Sequence, residues 1–140
     1  MKNSFAVDIV WRLAIREAVA ARHGHIEPGH FLEAITKGKE FCTAEAMAQA
    51  KAQGMDTTLL VAEMSMVPEL LDGAGIDPTS LRRSVRAMLG VGGHVHAAGE
   101  ILHRSEETRA VFAAADSMAA ACGMTHLTPG TLFAAMLERK

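Results

Sequence analysis

Gly24-His-Ile-Glu-Pro28-Gly-His-Phe-Leu-Glu-Ala-Ile35 near the start of the chain returns as Gly123-Met-Thr-His-Leu-Thr-Pro129-Gly-Thr-Leu-Phe-Ala-Ala-Met136 near its end. Each copy follows an alanine-rich stretch with helical character. The glycines lie 99 residues apart and the prolines 101, so matching on both implies a two-residue slip between the copies. A helix–loop–helix written twice is one supersecondary unit duplicated, and duplicated units build interaction scaffolds.

Working outward, residues 5–23 read as a helix. Asp8, Arg12 and Arg16 form a narrow polar strip, with Phe5, Ile9, Val10, Leu13, Ala14 and Ala18 over much of the rest. Gly24 suits a left-handed helix end. Pro28 opens the next helix, running to about Thr36, where its missing N–H is harmless. Residues 43–53 follow with Thr43 as cap. A short helix over 57–66 is opened by Asp56, and Pro68 is expected to restart the chain. Asp77 caps and Pro78 starts a helix whose inward stripe reads Leu81, Val85, Met88 and Leu89, leaving Arg82, Arg83 and Arg86 as a solvated face. Residues 90–99 carry four glycines and little to pack. Ser105 caps a helix with Val111, Phe112, Ala115, Met118 and Ala119 inward. Thr128-Pro129 then repeats the cap-plus-proline device. No stretch holds a strand period, so the fold is expected to be all-α.

Composition narrows the function. The 140 residues are 49% hydrophobic and 21% charged, with a net charge of −2, which gives no electrostatic reason to expect nucleic acid or an anionic membrane as partner. There is no Tyr and only one Trp, so stacking platforms for bases are missing. Asp8, Arg12, Arg16 and Glu17 interrupt any signal-peptide core, and no apolar run is long enough to span a membrane. Cys42 and Cys122, without CxxC spacing, read as reduced thiols, and the chain is placed in the cytoplasm.

At Pro28-Gly-His30-Phe-Leu32 the chain resembles the N-terminal domain of Clp/Hsp100 AAA+ unfoldases, a double repeat of four helices. The second copy offers Pro129, Gly130, Thr131, Leu132 and Phe133, with the histidine replaced. Leu70-Leu71-Asp-Gly-Ala-Gly75-Ile76-Asp77-Pro-Thr-Ser-Leu81-Arg82 resembles the junction of that repeat's third and fourth helices. The resemblance implies one domain over residues 1–140: a first repeat at about 5–89 with an insertion at 38–66, a linker at 90–103, and a partial second repeat at about 104–140. The second repeat stops after two helices. Two readings stay open, the front end of a longer ATPase or a free-standing module that shed the last pair, and the first is preferred because the second half is poorly covered. One subfamily binds phosphorylated arginine through an acidic residue just before the motif histidine. Gly29 and Gly130 stand there, so that activity is not carried over.

No phosphate-loop pattern occurs, so ATP binding of that kind is not expected of this chain. His23-x-His25 and His94-x-His96 lack a carboxylate or thiolate at zinc-module spacing and read as solvent-facing loop histidines, and no metal or cofactor is expected. His30 is expected to lock its turn by hydrogen-bonding a loop carbonyl. Nothing orients a base toward Cys42 or Cys122, so no catalytic residues are expected. Met47, Met55, Met64, Met66, Met88, Met118, Met124 and Met136 read mainly as core filling. Met64 and Met66, in the insertion, are the best candidates for exposure. The resemblance implies a module that docks protein substrates or adaptors for an AAA+ ring by apolar contact between the repeats. The expected contact positions are Glu27, Pro28, His30 and Phe31, with their counterparts Thr128, Pro129, Thr131 and Leu132. The alternatives are a regulatory or structural packing domain of the ring and, less favoured, a metal-binding helical domain.

Overall fold

A computed structural model describes residues 1–138 of the chain. The described residues form an all-α bundle: α1 (Phe5–Ala20), α2 (Pro28–Thr36), α3 (Gly38–Phe41), α4 (Ala44–Ala52), α5 (Thr57–Gly73), α6 (Pro78–Leu89), α7 (Glu106–Ala121) and α8 (Pro129–Glu138). Two short strands, β1 (Lys2–Asn3) and β2 (His126–Leu127), pair in parallel. None of the described helices is long and apolar enough to cross a membrane.

The expected caps hold at Thr43, Asp56, Asp77 and Ser105, and Ser4, not singled out from sequence, caps α1; each accepts a hydrogen bond from the backbone amide three residues on. Each side-chain oxygen satisfies one of the donors a helix start leaves orphaned.

The duplication is more regular than its sequence reads. Helix α1 ends at Ala20, not at residue 23, and the left-handed residue is Arg22 (φ 61°) rather than Gly24. The Arg22 amide donates to the Val19 carbonyl and the His23 amide to the Ala18 carbonyl at 2.9 Å, which is a Schellman motif. Helix α7 ends the same way: Gly123 (φ 71°) donates to Ala120, and Met124 donates to Ala119 at 2.9 Å. Arg22 therefore matches Gly123, and the two-residue slip disappears. A constant offset of 101 relates Ser4 to Ser105, Arg22 to Gly123, Ile26 to Leu127 and Pro28 to Pro129.

This offset generates a pseudo-twofold clamp. Asn3 pairs with Leu127, and their counterparts Arg104 and Ile26 form the matching parallel bridge. The Ser4 amide donates to the Leu127 carbonyl at 2.9 Å and the Ser105 amide to the Ile26 carbonyl at 3.1 Å. The residue that caps each long helix is thus held by the turn of the other copy. Thr108 Oγ1 adds a 2.7 Å bond to the Ile26 carbonyl.

The core forms where the copies meet. Trp11 and its counterpart Phe112 pack with ring centroids 5.2 Å apart, and Phe31 sits edge-on to both at 5.7 and 5.1 Å. The Arg104 guanidinium lies 4.9 Å over Trp11 and 4.8 Å over Phe112, closing the cluster with cation–π contacts.

Several local expectations are corrected. Pro68 does not restart the chain, because α5 runs through it. A proline inside a helix frees the carbonyl four residues back, here Met64. Gly38 packs against that carbonyl so closely that a Cβ would lie 1.9 Å from the Met64 oxygen. Met64 is buried and Met66 is 48% exposed, so one of the two expected exposures holds. Phe5 and Met88, read as inward, are exposed. Arg82, read as solvated, is buried at 7% exposure, and its guanidinium meets Glu40 at 3.3 Å and Thr79 at 3.5 Å. Residues 90–99 are mostly exposed, as expected, but two backbone bonds tether them. The Gly92 amide donates to the Ala21 carbonyl at 2.8 Å and the His94 amide to the Arg22 carbonyl at 3.0 Å, laying the segment along the end of α1. A Cβ on Gly92 would stand 2.3 Å from the Arg22 oxygen, so only glycine fits there.

Candidate functional site

The residues expected to make contacts separate into two groups. His30, Phe31, Pro129 and Leu132 are buried, whereas Glu27, Pro28, Thr128 and Thr131 are partly exposed. The buried group frames the two helix starts, and the other group forms their rims.

His30 locks its turn, through a different bond from the one expected. The Glu27 amide donates to His30 Nδ1 at 2.8 Å, and His30 Nε2 lies 2.8 Å from His23 Nδ1. An Nδ1 that accepts from an amide carries no proton. The proton of a neutral His30 is therefore on Nε2, where it donates to His23 Nδ1. Burial, with His23 beside it, lowers the His30 pKa to about 4. In the second copy, Thr128 and Thr131 do this work: Thr128 Oγ1 accepts from the Thr131 amide at 3.2 Å and meets Thr131 Oγ1 at 2.8 Å.

Gly29 and Gly130, adjacent to those positions, face filled space. A Cβ on Gly29 would meet Leu89 Cδ1 at 2.8 Å, and one on Gly130 would meet Met66 Sδ at 2.7 Å. Apolar side chains occupy the place where a guanidinium-binding carboxylate would have to stand.

A polar knot ties α1, α2 and α6 together. Arg86 grips the buried Glu17 with Nη2 at 3.0 Å and Nε at 3.3 Å, and Lys37 pairs with the same carboxylate. Burial works to raise the Glu17 pKa, but Arg86, Glu33 and Lys37 outweigh it and hold Glu17 well below the usual carboxylate range. Burial, aided by the neighbouring Glu17 charge, pushes Glu33 up to about 8. The knot carries one negative charge against two cations at neutral pH. It is a structural device, because both cations already grip Glu17.

One opening is a cleft of about 310 Å³ lined by Asn3, Ser4, Phe5, Ala6, Asp56, Leu59, Leu60, Glu63 and His126. It brings together the start of α1, the first turns of α5 and β2 of the second copy. Phe5 and Leu59 are each 55% exposed there. Neither was singled out from sequence as a contact. One signal was available: the second copy has Glu106 at the position of Phe5, so the fold does not require an aromatic there.

The paired histidines are less exposed than expected. His23, His94 and His96 are half-buried, and His25 is exposed. The carboxylate missing at short spacing is supplied by Glu100, whose Oε2 lies 2.7 Å from His94 Nε2. Cys42 is half-buried and Cys122 exposed; both are free, and burial raises the Cys42 thiol pKa.

The sequence pattern of the Clp repeat N-terminal domain matches residues 56–140, more than half of the chain. The match begins at the Asp56 cap of α5 and takes in α6, α7 and α8. The first copy of the motif, at residues 24–35, lies ahead of it and joins through the 101-residue offset. No curated protein matches the chain.

Proposed function

The chain belongs to the Clp repeat N-terminal domain family, and from that premise we propose that it docks protein substrates or adaptors for an ATP-dependent Clp/Hsp100 unfoldase, with no chemistry of its own. The family is a non-catalytic, Clp-associated module. The observation that carries the docking reading is the cleft at the junction of the copies, with Phe5 and Leu59 half-exposed on its walls. Asp56 and Glu63 flank it, which favours an apolar side chain bordered by basic or polar residues. Glu27, Pro28, Thr128 and Thr131 are the rim positions that remain available for flanking contacts. Any ATPase or protease activity belongs to a fused or partner ring, in the cytoplasm.

Burying the exposed halves of two large apolar side chains contributes about 1 kcal/mol each. The test is fluorescence anisotropy of a labelled, permanently unfolded polypeptide titrated with the whole chain. Binding that weakens about 30-fold in the Phe5→Ser/Leu59→Ser variant supports the reading. No binding at 100 µM chain, or equal affinity in the variant, ends it.

A second reading, packing on the chain's own ring, draws on a separate exposed apolar set: Met88 at 87%, Val91 and Val95 at 78% and Ile101 at 76%. In that case substitutions at Met88 and Val91 would release the domain from the ring, while those at Phe5 and Leu59 would not.

A further inference from the structure

The segment joining the two copies holds a cluster that the docking reading does not use. His94, His96 and Glu100 each offer a ligand atom, and these atoms all lie within 4.8 Å of one another. The geometry points to a site for a divalent transition cation of the zinc class, held by His94, His96 and Glu100, that would fasten the joining segment. It is independent of the docking reading.

Four observations support the site. The first is donor chemistry. Two imidazoles and a carboxylate are the set that borderline cations such as Zn²⁺ prefer over Mg²⁺ or Ca²⁺, with a fourth position left to water. The second is separation. Tetrahedral zinc with bonds of about 2.1 Å sets neighbouring ligand atoms about 3.4 Å apart. The 2.7 Å His94–Glu100 bond must open by about 0.7 Å, and the wider gaps must close by about 1.4 Å at most.

The third is orientation of the ligands by their neighbours. His96 Nε2 lies 3.1 Å from the His23 carbonyl. A carbonyl only accepts, so Nε2 carries the proton and Nδ1 keeps its lone pair. This is the arrangement by which metal-ligating histidines are usually fixed. The His94 and His96 rings meet edge to face with centroids 4.6 Å apart, which limits how far either swings. The fourth is how the backbone delivers Glu100. Its amide donates to the Ala97 carbonyl at 3.1 Å, closing a turn, and Gly99 (φ 76°) supplies the left-handed residue that turn needs. Meanwhile the Gly92 and His94 amides anchor the other arm to the end of α1.

The test uses the whole chain without an affinity tag, titrated with zinc chloride at pH 7.5 by calorimetry. One zinc ion per chain is expected, with Kd at or below about 10 µM and a Tm rise of about 9 °C at a hundredfold excess over Kd. His94→Ala and His96→Ala should each weaken binding at least 10-fold. Glu100→Gln, which keeps the shape and removes the charge, should do so by about 10-fold. Exposed His25 and Cys122 serve as controls, and His25→Ala and Cys122→Ser should bind as the parent does. Absence of saturation by 100 µM zinc overturns the proposal. So does binding that follows His25 or Cys122 and survives in Glu100→Gln and His94→Ala.

Discussion

Replacing His30 by Gln separates two roles that the wild-type residue combines. Gln keeps an acceptor for the Glu27 amide, as in a capping box, but it does not titrate. Neutral His30 is required in the folded state, because protonating Nδ1 would abolish the bond from Glu27. Its pKa is about 4 when folded, below the ordinary 6.5. The unfolded chain therefore binds a proton at pH values where the folded chain does not. The stabilisation is complete above pH 6.5 and is lost progressively as pH falls toward 4. Between pH 7.5 and pH 5 the linkage relation gives a loss of about 2 kcal/mol from this residue. Glu33 acts in the opposite direction over this range, since its raised pKa favours the folded state as pH falls. Glu17, held low, matters only below about pH 4.5. Those contributions are common to both proteins and cancel in the difference. Urea unfolding followed by circular dichroism and by fluorescence of the single Trp11, at pH 7.5 and 5, reads that difference. The wild type should lose about 2 kcal/mol more than His30→Gln between the two pH values. At pH 7.5 the two should lie within about 1 kcal/mol, while His30→Ala, which leaves the Glu27 amide unpaired, should lose about 2–3 kcal/mol. Equal pH dependence in wild type and His30→Gln would falsify the tautomer assignment and with it the reasoning from the hydrogen-bond pattern.

Other outcomes follow from the same geometry. Arg22→Gly should raise stability by about 1 kcal/mol in urea unfolding, because it places at the left-handed position the residue that the second copy already uses; a loss would mean that the Arg22 side chain has a role the Schellman geometry does not show. Gly38→Ala drives a Cβ into the Met64 backbone and should lose about 3 kcal/mol or more, whereas Gly130→Ala meets only the flexible tip of Met66 and should lose less than about 1 kcal/mol; similar effects at both sites would refute the close approach of α3 to α5. Glu17→Gln leaves Lys37 and Arg86 without their counter-charge and should lose about 2 kcal/mol at pH 6, a value kept modest because both cations are partly exposed. Glu33→Gln should be nearly silent below about pH 4.5 and should gain on the wild type as pH rises from there to 8, by about 2 kcal/mol at pH 6, because folding of the wild type must keep protonated a carboxyl that the unfolded chain ionises.

What could be read from the sequence was what local chemistry decides. Caps at Thr43, Asp56, Asp77 and Ser105, and the prolines that open α2, α6 and α8, act over three or four residues and stand out in any window. The left-handed end of α1 did not, because arginine is disfavoured there by about 1–2 kcal/mol and Gly24 stood nearby as a more usual choice. That one misplacement introduced the apparent slip and hid the constant offset. Arg82 looked solvated because its partner Glu40 lies 42 residues earlier, and such pairing leaves no periodic trace. The helix through Pro68 depends on Gly38 standing against a carbonyl that the proline left free, a contact across 26 residues from Gly38 to Met64. In the candidate site, the buried frame of His30, Phe31, Pro129 and Leu132 came from the motif. The exposed cleft residues Phe5 and Leu59 did not, since helical spacing places Phe5 on an apolar face without showing that nothing covers it. The Glu100 carboxylate escaped notice because a turn, not a regular spacing, brings it to His94.

The two copies hold each other by the same bond. If the Ser4 amide is clamped by the Leu127 carbonyl and the Ser105 amide by the Ile26 carbonyl, the halves open only together, and the cleft exists only while they are closed. Native-state hydrogen exchange of these two amides, resolved by NMR, measures this directly. Both should be protected, with opening free energies within about 1 kcal/mol of each other and of global unfolding. One amide protected and the other exchanging at the rate of a free peptide would contradict the symmetric clamp.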